Sequence, residues 1–194
     1  MTDHTVELSL SAEEYDRLTD VADDPEAFVR AATLDRVEQE ESVAFTQAGG
    51  FREADPEDRA TDSDVPRPPV AALVGFDIES MGDGESLVTF EAGPEHANPM
   101  GTLHGGILCD VGDAAMGVAY ASTLGPEESF TTLELDVNYL RPVWDARLEA
   151  TGRVVSGGRT IGLVECDVHD EEGRLVARLS STCMTLRGEG AAGR

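Results

Sequence analysis

The sequence contains no lysine; all 14 basic residues are arginine, against 39 acidic residues, for a formal net charge of −25. Such a surface repels nucleic acid and anionic membranes, which are gripped through cations on phosphates, so neither is expected as a partner. At low ionic strength the chain also repels itself. Molar salt shortens the Debye length to ~3 Å and lifts that penalty. The composition is therefore the one expected at high internal salt, as in a halophilic archaeon. Cysteine is scarce too. Cys109, Cys166 and Cys183 are odd in number and have no short ligand spacing, so neither a disulfide framework nor a metal site is expected. All three are expected as small buried hydrophobes. No apolar run approaches the ~18 residues that span a bilayer. The opening MTDHTVELSL has no basic stretch followed by an apolar one, so no secretory leader is expected and the expected location is cytoplasmic. A Gly-rich phosphate-cradling fingerprint is also missing.

What is present divides unequally. The length of 194 residues suits one domain plus an extension, and 40% hydrophobic residues suffice for a core. Residues 1–70 hold 19 acids and 6 arginines, and the longer remainder holds 20 and 8. Val6 to Leu10 alternates like a short strand. Ser11-Ala12-Glu13-Glu14 is a capping box opening a helix to about Val21. Asp24 caps a second helix with Pro25 in its first turn, running to about Glu41 with an apolar stripe of Phe28, Ala31, Ala32, Leu34 and Val37. Strand, helix, helix faintly resembles ribbon-helix-helix DNA readers, but the strand offers Thr5, Glu7 and Ser9 where such a reader needs basic or amide groups. Residues 1–48 are instead expected as a helical extension packed on the main domain or its dimer mate. Residues 49–69, broken by Gly, Asp and Pro, read as a linker, and residues 189–194 as a flexible tail.

Residues 70–188 carry a different pattern. Ala72–Ser80 and Ser86–Ala92 read as strands joined by a Met81-Gly82-Asp83-Gly84-Glu85 hairpin turn. Gly105 to about Thr123 is rich in Ala, Val, Met, Leu and Gly on nearly every side, which marks a helix buried all round. Thr131–Leu140, Arg147–Ser156, Thr160–His169 and Leu175–Leu186 are four further strand-length runs. The fold class expected is α+β, a curved antiparallel sheet of about six strands wrapped around one long helix.

One segment stands out for chemistry: Asn98 and His104-Gly105-Gly106, with Asp113 seven residues beyond. Two glycines at a helix start leave backbone N–H groups unpaired and open to close approach. The helix terminus adds partial positive charge where an oxyanion would form. A carboxylate inside an apolar helix is costly unless paired or used, so Asp113 is a candidate base or nucleophile. Helix register alone leaves Asp110 open as an alternative, and a Cys109–His104 nucleophile pair is conceivable beside a packed core thiol. Glu134 and Asp136 read as solvated surface, and His4, His96 and His169 as surface or loop residues.

The stretch from about Val70 to Leu186 resembles the phenylacetate-pathway (PaaI-type) branch of hotdog-fold acyl-CoA thioesterases. The resemblance rests on the Asn-x(5)-His-Gly-Gly segment, the Asp nine residues after the histidine, and Thr131-Thr132-Leu-Glu-Leu-Asp-Val-Asn-Tyr139-Leu-Arg-Pro142. It implies that Asp113 activates water or attacks the thioester carbonyl, and that the Gly105 N–H polarises that carbonyl. Asn98 and His104 would orient the thioester. Thr132 would hold the water, or Thr131 if the register slips by one. It further implies a homodimer, possibly a tetramer, in which Asn98 and His104 of one chain face Asp113 and Thr132 of the other. Gly106, Arg141 and Arg159, with Arg153, are candidates for holding CoA, which is part of the substrate; no separate cofactor is implied. Met100, Leu103, Leu108 and Met116 are expected to line an acyl pocket suited to an aryl-acetyl or a medium aliphatic chain. A hydratase or dehydratase of acyl thioesters, or a non-catalytic acyl-CoA sensor, would be the competing functions on this fold.

Overall fold

The computed structural model describes residues 5–47 and 67–191. Helix α1, Ala12–Val21, opens on the expected capping box: Ser11 N–H donates to the Glu14 carboxylate at 2.8 Å and Glu14 N–H returns to Ser11 Oγ. Helix α2 spans Pro25–Gln47, with Asp24 accepting from Ala27 N–H at 3.0 Å. It runs past Glu41 because Val43-Ala44-Phe45-Thr46 offers no breaker. The strand expected over Val6–Leu10 does not form. Those residues stand exposed, Val6 at 93%, and alternation makes a strand only where an edge pairs with it. Most of the expected linker lies outside the described residues. Its last residue, Pro69, opens a short helix α3, Pro69–Val74, closed by Gly75 at φ 90°. The strand expected from Ala72 therefore begins only at Phe76. Arg67 ties these parts together, reaching Glu38 of α2 at 2.7 Å and Asp77 at 3.2 Å while its carbonyl accepts from Ser42 Oγ.

The sheet contains β1 Phe76–Gly82, β2 Glu85–Ala92, β3 Ser129–Tyr139, β4 Ala146–Gly157, β5 Ile161–Asp170 and β6 Leu175–Leu186. All neighbours are antiparallel, in the order β1-β2-β4-β5-β6-β3. The chain turns from β1 to β2 through Asp83 and Gly84, both at positive φ, as a two-residue hairpin requires. Helix α4, Gly105–Ala121, lies across the sheet and is ~25 Å long at ~1.5 Å per residue. Its Val111, Ala115, Met116 and Ala119 join Val88, Phe90, Leu148, Val164, Val168 and Leu179 in one core. The contact is close: a Cβ on Gly152 would lie 2.5 Å from the Ala115 carbonyl oxygen. This is the hotdog architecture.

Three expectations about burial need correction. The helix is buried on one side only; Gly106, Cys109, Asp113, Ala114 and Gly117 are half-exposed and Asp110 is exposed. Glycine and alanine make a helix look apolar all round while leaving it open to another surface. Leu103, Leu108 and Met116 belong to the core instead of lining a pocket, while Met100 is 82% exposed. Of the cysteines, Cys166 and Cys183 are buried, but Cys109 is only half-buried.

Strand β3 pairs with β6 alone, so its other edge is free among the described residues. Its register breaks at one point. Thr132 pairs with Cys183 and Glu134 with Thr182, leaving Leu133 as a bulge. Side chains alternate with period two along a strand. Before the bulge Phe130 and Thr132 turn inward, and after it Leu135 and Val137 do so. The bulge thus changes which residues face α4.

Candidate active site

His104 is the N-cap of α4, and its Nδ1 accepts from Gly106 N–H at 3.0 Å. With Nδ1 as acceptor, the neutral ring carries its proton on Nε2, leaving an N–H donor on an exposed residue. Gly106 N–H is thereby engaged within the cap. A Cβ at Gly106 would lie 3.0 Å from the His104 ring, so the glycine is there for the cap. Gly105 N–H opens the helix and has no acceptor among the described residues, as is usual for the first N–H groups of a helix.

The histidine is held from behind by a residue that sequence reading treated as incidental. His96 accepts from Gly93 N–H at its Nδ1 (3.1 Å), and its Nε2 meets the Val74 carbonyl at 3.1 Å. Its ring packs edge-on to Phe90, and its carbonyl accepts from His104 N–H at 2.9 Å. It ends a single 3-10 turn, Pro94–His96, with every polar group engaged. Asn98 closes the loop before the helix. Its Nδ2 donates to Thr102 Oγ1 and its Oδ1 accepts from Met100 N–H, both at 2.8 Å. One amide proton and one lone pair remain for a ligand.

Asp113 sits on the open side of α4, where Thr132 Oγ1 donates to its Oδ1 at 3.1 Å. Oδ2 has no hydrogen bond among the described residues. Thr131 is exposed and Thr132 half-buried, so the register places Thr132, not Thr131, at the carboxylate. Asp110 is exposed and has no hydrogen bond among the described residues. Beneath the pair lies Cys183, 1% exposed. Burial pushes its thiol up and the Asp113 charge adds to this, while hydrogen bonds to Ser181 and Thr132 oppose it. It is an inert floor. Tyr139 donates its hydroxyl to the Gly105 carbonyl at 3.0 Å and lies 3.2 Å from Cys109 Sγ. The hydrogen bond with Cys109, then burial, pushes the phenol up to about 12. Cys109 is therefore engaged with Tyr139, and no Cys109–His104 contact is present among the described residues. No signal within the strand itself could have linked Tyr139 to the helix start.

The arginines are not gathered. Arg153 is held by Glu165 at 2.6 Å. Arg141 and Arg159 have no carboxylate partner among the described residues. Arg141 N–H bonds to the Val176 carbonyl, and the Arg159 carbonyl accepts from Arg187 beside Thr185. Those contacts are nine residues apart along β6, ~30 Å at ~3.3 Å per residue, so the two arginines mark opposite ends of the sheet.

The thioesterase superfamily pattern matches residues 100–177. A protein of Saccharolobus solfataricus whose name proposes an esterase is 31% identical over 110 residues, 57% of this chain and 78% of that one. The medium/long-chain acyl-CoA thioesterase YigI of Escherichia coli is 30% identical over 95 residues, 42% of this chain and 61% of that relative. Among solved structures, a mutant of the phenylacetic acid degradation protein PaaI from Thermus thermophilus superposes with a TM-score of 0.56 at 28% identity, over 60% of this chain and 97% of that one. The chain belongs to the thioesterase superfamily.

Proposed function

We propose that the protein hydrolyses acyl-CoA thioesters to the free acid and CoA, at sites each completed by two copies of the chain. The observation that carries this reading is the placement of the two half-sites on one helix. Gly105 and Asp113 are eight residues apart, ~12 Å along the axis at ~1.5 Å per residue, too far for both to serve one carbonyl. A second copy, packed on the open side of α4 and the free edge of β3, would bring its Asp113 to the first chain's helix start. Exposed Leu133, Tyr139, Leu140 and Trp144, all above 50%, would be covered in the process.

Within such a site the chemistry follows from the groups present. Water held by Thr132 attacks the thioester carbon as Asp113 takes its proton, or Asp113 attacks directly through a mixed anhydride. The carbonyl oxygen gains negative charge, which the Gly105 N–H and the helix terminus stabilise. His104 Nε2–H and the spare Asn98 amide proton orient the thioester. On the water route the C–S bond then breaks as Asp113 returns its proton and CoA leaves as the thiol. On the anhydride route CoA leaves as the thiolate, and water then hydrolyses the acyl-Asp113 anhydride to the free acid and the carboxylate. The acyl group is left as aryl-acetyl or aliphatic: one similar structure is of a phenylacetic acid degradation protein, and one relative is named a medium/long-chain acyl-CoA thioesterase. The lysine-free, acidic composition supports work at high salt, and the cytoplasm is the location that goes with this reading.

The test is thiol release with Ellman's reagent from phenylacetyl-CoA and a series of aliphatic acyl-CoAs in molar KCl. Wild type should turn over, and Asp113→Asn should fall about 100-fold or more. Acyl-CoA binding by a folded dimer with no thiol release from any substrate would instead indicate a sensing domain.

A further inference from the structure

We infer that Tyr139 is a positioning residue that fixes the aim of the Gly105 N–H, and that the Leu133 bulge is what allows it to reach the helix. The inference rests on the thioesterase reading above.

Gly105 and Gly106 in tandem give the first turn of α4 the least constrained backbone available to it. The peptide linking them is pinned at both ends. Its N–H, on Gly106, is held by His104 Nδ1 at 3.0 Å, and its C=O, on Gly105, is held by the Tyr139 hydroxyl at 3.0 Å. A peptide unit is planar, so two such bonds fix its orientation. What remains free is the rotation that carries the adjacent Gly105 N–H, and the Tyr139 ring restricts that as well. It lies so close to Gly105 that a Cβ there would meet Cζ at 2.9 Å. A side chain at Gly105 would have to push the Tyr139 ring aside, so glycine and tyrosine fit each other within one protomer, independently of any substrate. Because Tyr139 donates to Gly105, the Cys109 thiol is left to donate to the phenol oxygen.

Thr132 and Tyr139 are seven residues apart, and an uninterrupted strand would point them to opposite faces. Both touch α4, one at Asp113 and the other at Gly105. The unpaired Leu133 supplies the missing half-period. One irregularity thus supports the carboxylate and the oxyanion donor together.

The test uses Tyr139→Phe, which keeps the ring and removes the hydroxyl, in two arms. In the first, kcat for thiol release should fall about three- to tenfold, the loss typical of one hydrogen bond, with KM nearly unchanged. A rise in KM with kcat intact would overturn the inference. In the second, amide exchange of Gly106 in 15N-glycine-labelled protein should speed up by a similar factor, and an unchanged rate would overturn it. The second arm needs no turnover. If wild type released no thiol from any acyl-CoA, the thioesterase reading would fall while exchange still decided whether Tyr139 holds the helix start. Cys109→Ala should leave turnover within about twofold; a loss equal to that of Tyr139→Phe would assign the effect to the thiol and overturn the inference.

Discussion

Thr132 on β3 and Asp113 on α4 are joined by a 3.1 Å hydrogen bond in which the hydroxyl donates, so a strand at the sheet edge orients a carboxylate on the helix. Thr132→Val keeps the shape and removes the donor. We expect kcat to fall about tenfold, and Thr132→Ser to restore most of it. Full activity in Thr132→Val together with a loss in Thr132→Ser would mean that the methyl group, not the hydroxyl, matters at this position.

Gly152 tests the packing of helix on sheet. An added Cβ would come within 2.5 Å of the Ala115 carbonyl oxygen and 2.7 Å of Ser86 Oγ, which itself donates to that carbonyl. Backbone cannot swing aside as a side-chain tip can. Gly152→Ala should cost about 2–3 kcal/mol, read as a lower urea midpoint. Gly82→Ala, with nothing within 4 Å, is the control and should stay within about 0.5 kcal/mol.

Acid sensitivity should concentrate at the β5–β6 turn. Burial alone would raise the Asp170 carboxyl, but the Arg174 N–H, the Arg174 guanidinium and the Glu172 N–H outweigh it and hold the group below its ordinary 3.8. The Arg178 guanidinium holds Asp167 low as well, against burial. A carboxylate whose folded value is depressed stabilises the fold above its unfolded value and loses that contribution as pH falls through the folded one. Stability should therefore drop from about pH 4 downward. Asp170→Asn should shrink that drop in urea melts taken across the acid range; an unchanged drop would place the acid response elsewhere.

Salt should stabilise the protein. Exposed ion pairs such as Arg67 with Glu38 and Asp77 are worth at most about 1 kcal/mol each and weaken with screening. Repulsion from a net charge of −25 weakens too, and it involves far more charges. The melting temperature should climb between dilute buffer and molar KCl. A flat or falling curve would remove the high-salt reading of the composition.

Local chemistry made much of the domain legible. Ser11 and Glu14 announced α1, β6 begins and ends where its alternation does, and His104-Gly105-Gly106 marked the start of α4. What escaped depends on contacts distant in sequence. Val6–Leu10 alternates but meets no edge, Pro69 and Gly75 bracket a helix inside an apolar run that reads as strand, and Leu108 and Met116 look no different in a core than in a pocket. Thr132 was legible only through the family resemblance, with Thr131 left open beside it, and the partnership of Tyr139 with Gly105 was not legible at all. A bulge has no signature in the residues that form it; it becomes visible only when β6 is laid alongside.

The Leu133 irregularity also sets how β3 can change. Substitution at Leu133, 53% exposed, leaves the count of residues intact. Removing one residue, or adding one, anywhere between Thr132 and Tyr139 would turn one of the two away from α4 while leaving the other in place, whereas a change of two would keep both facing it. The strand tolerates rewriting of its letters but not a shift in their number from odd to even.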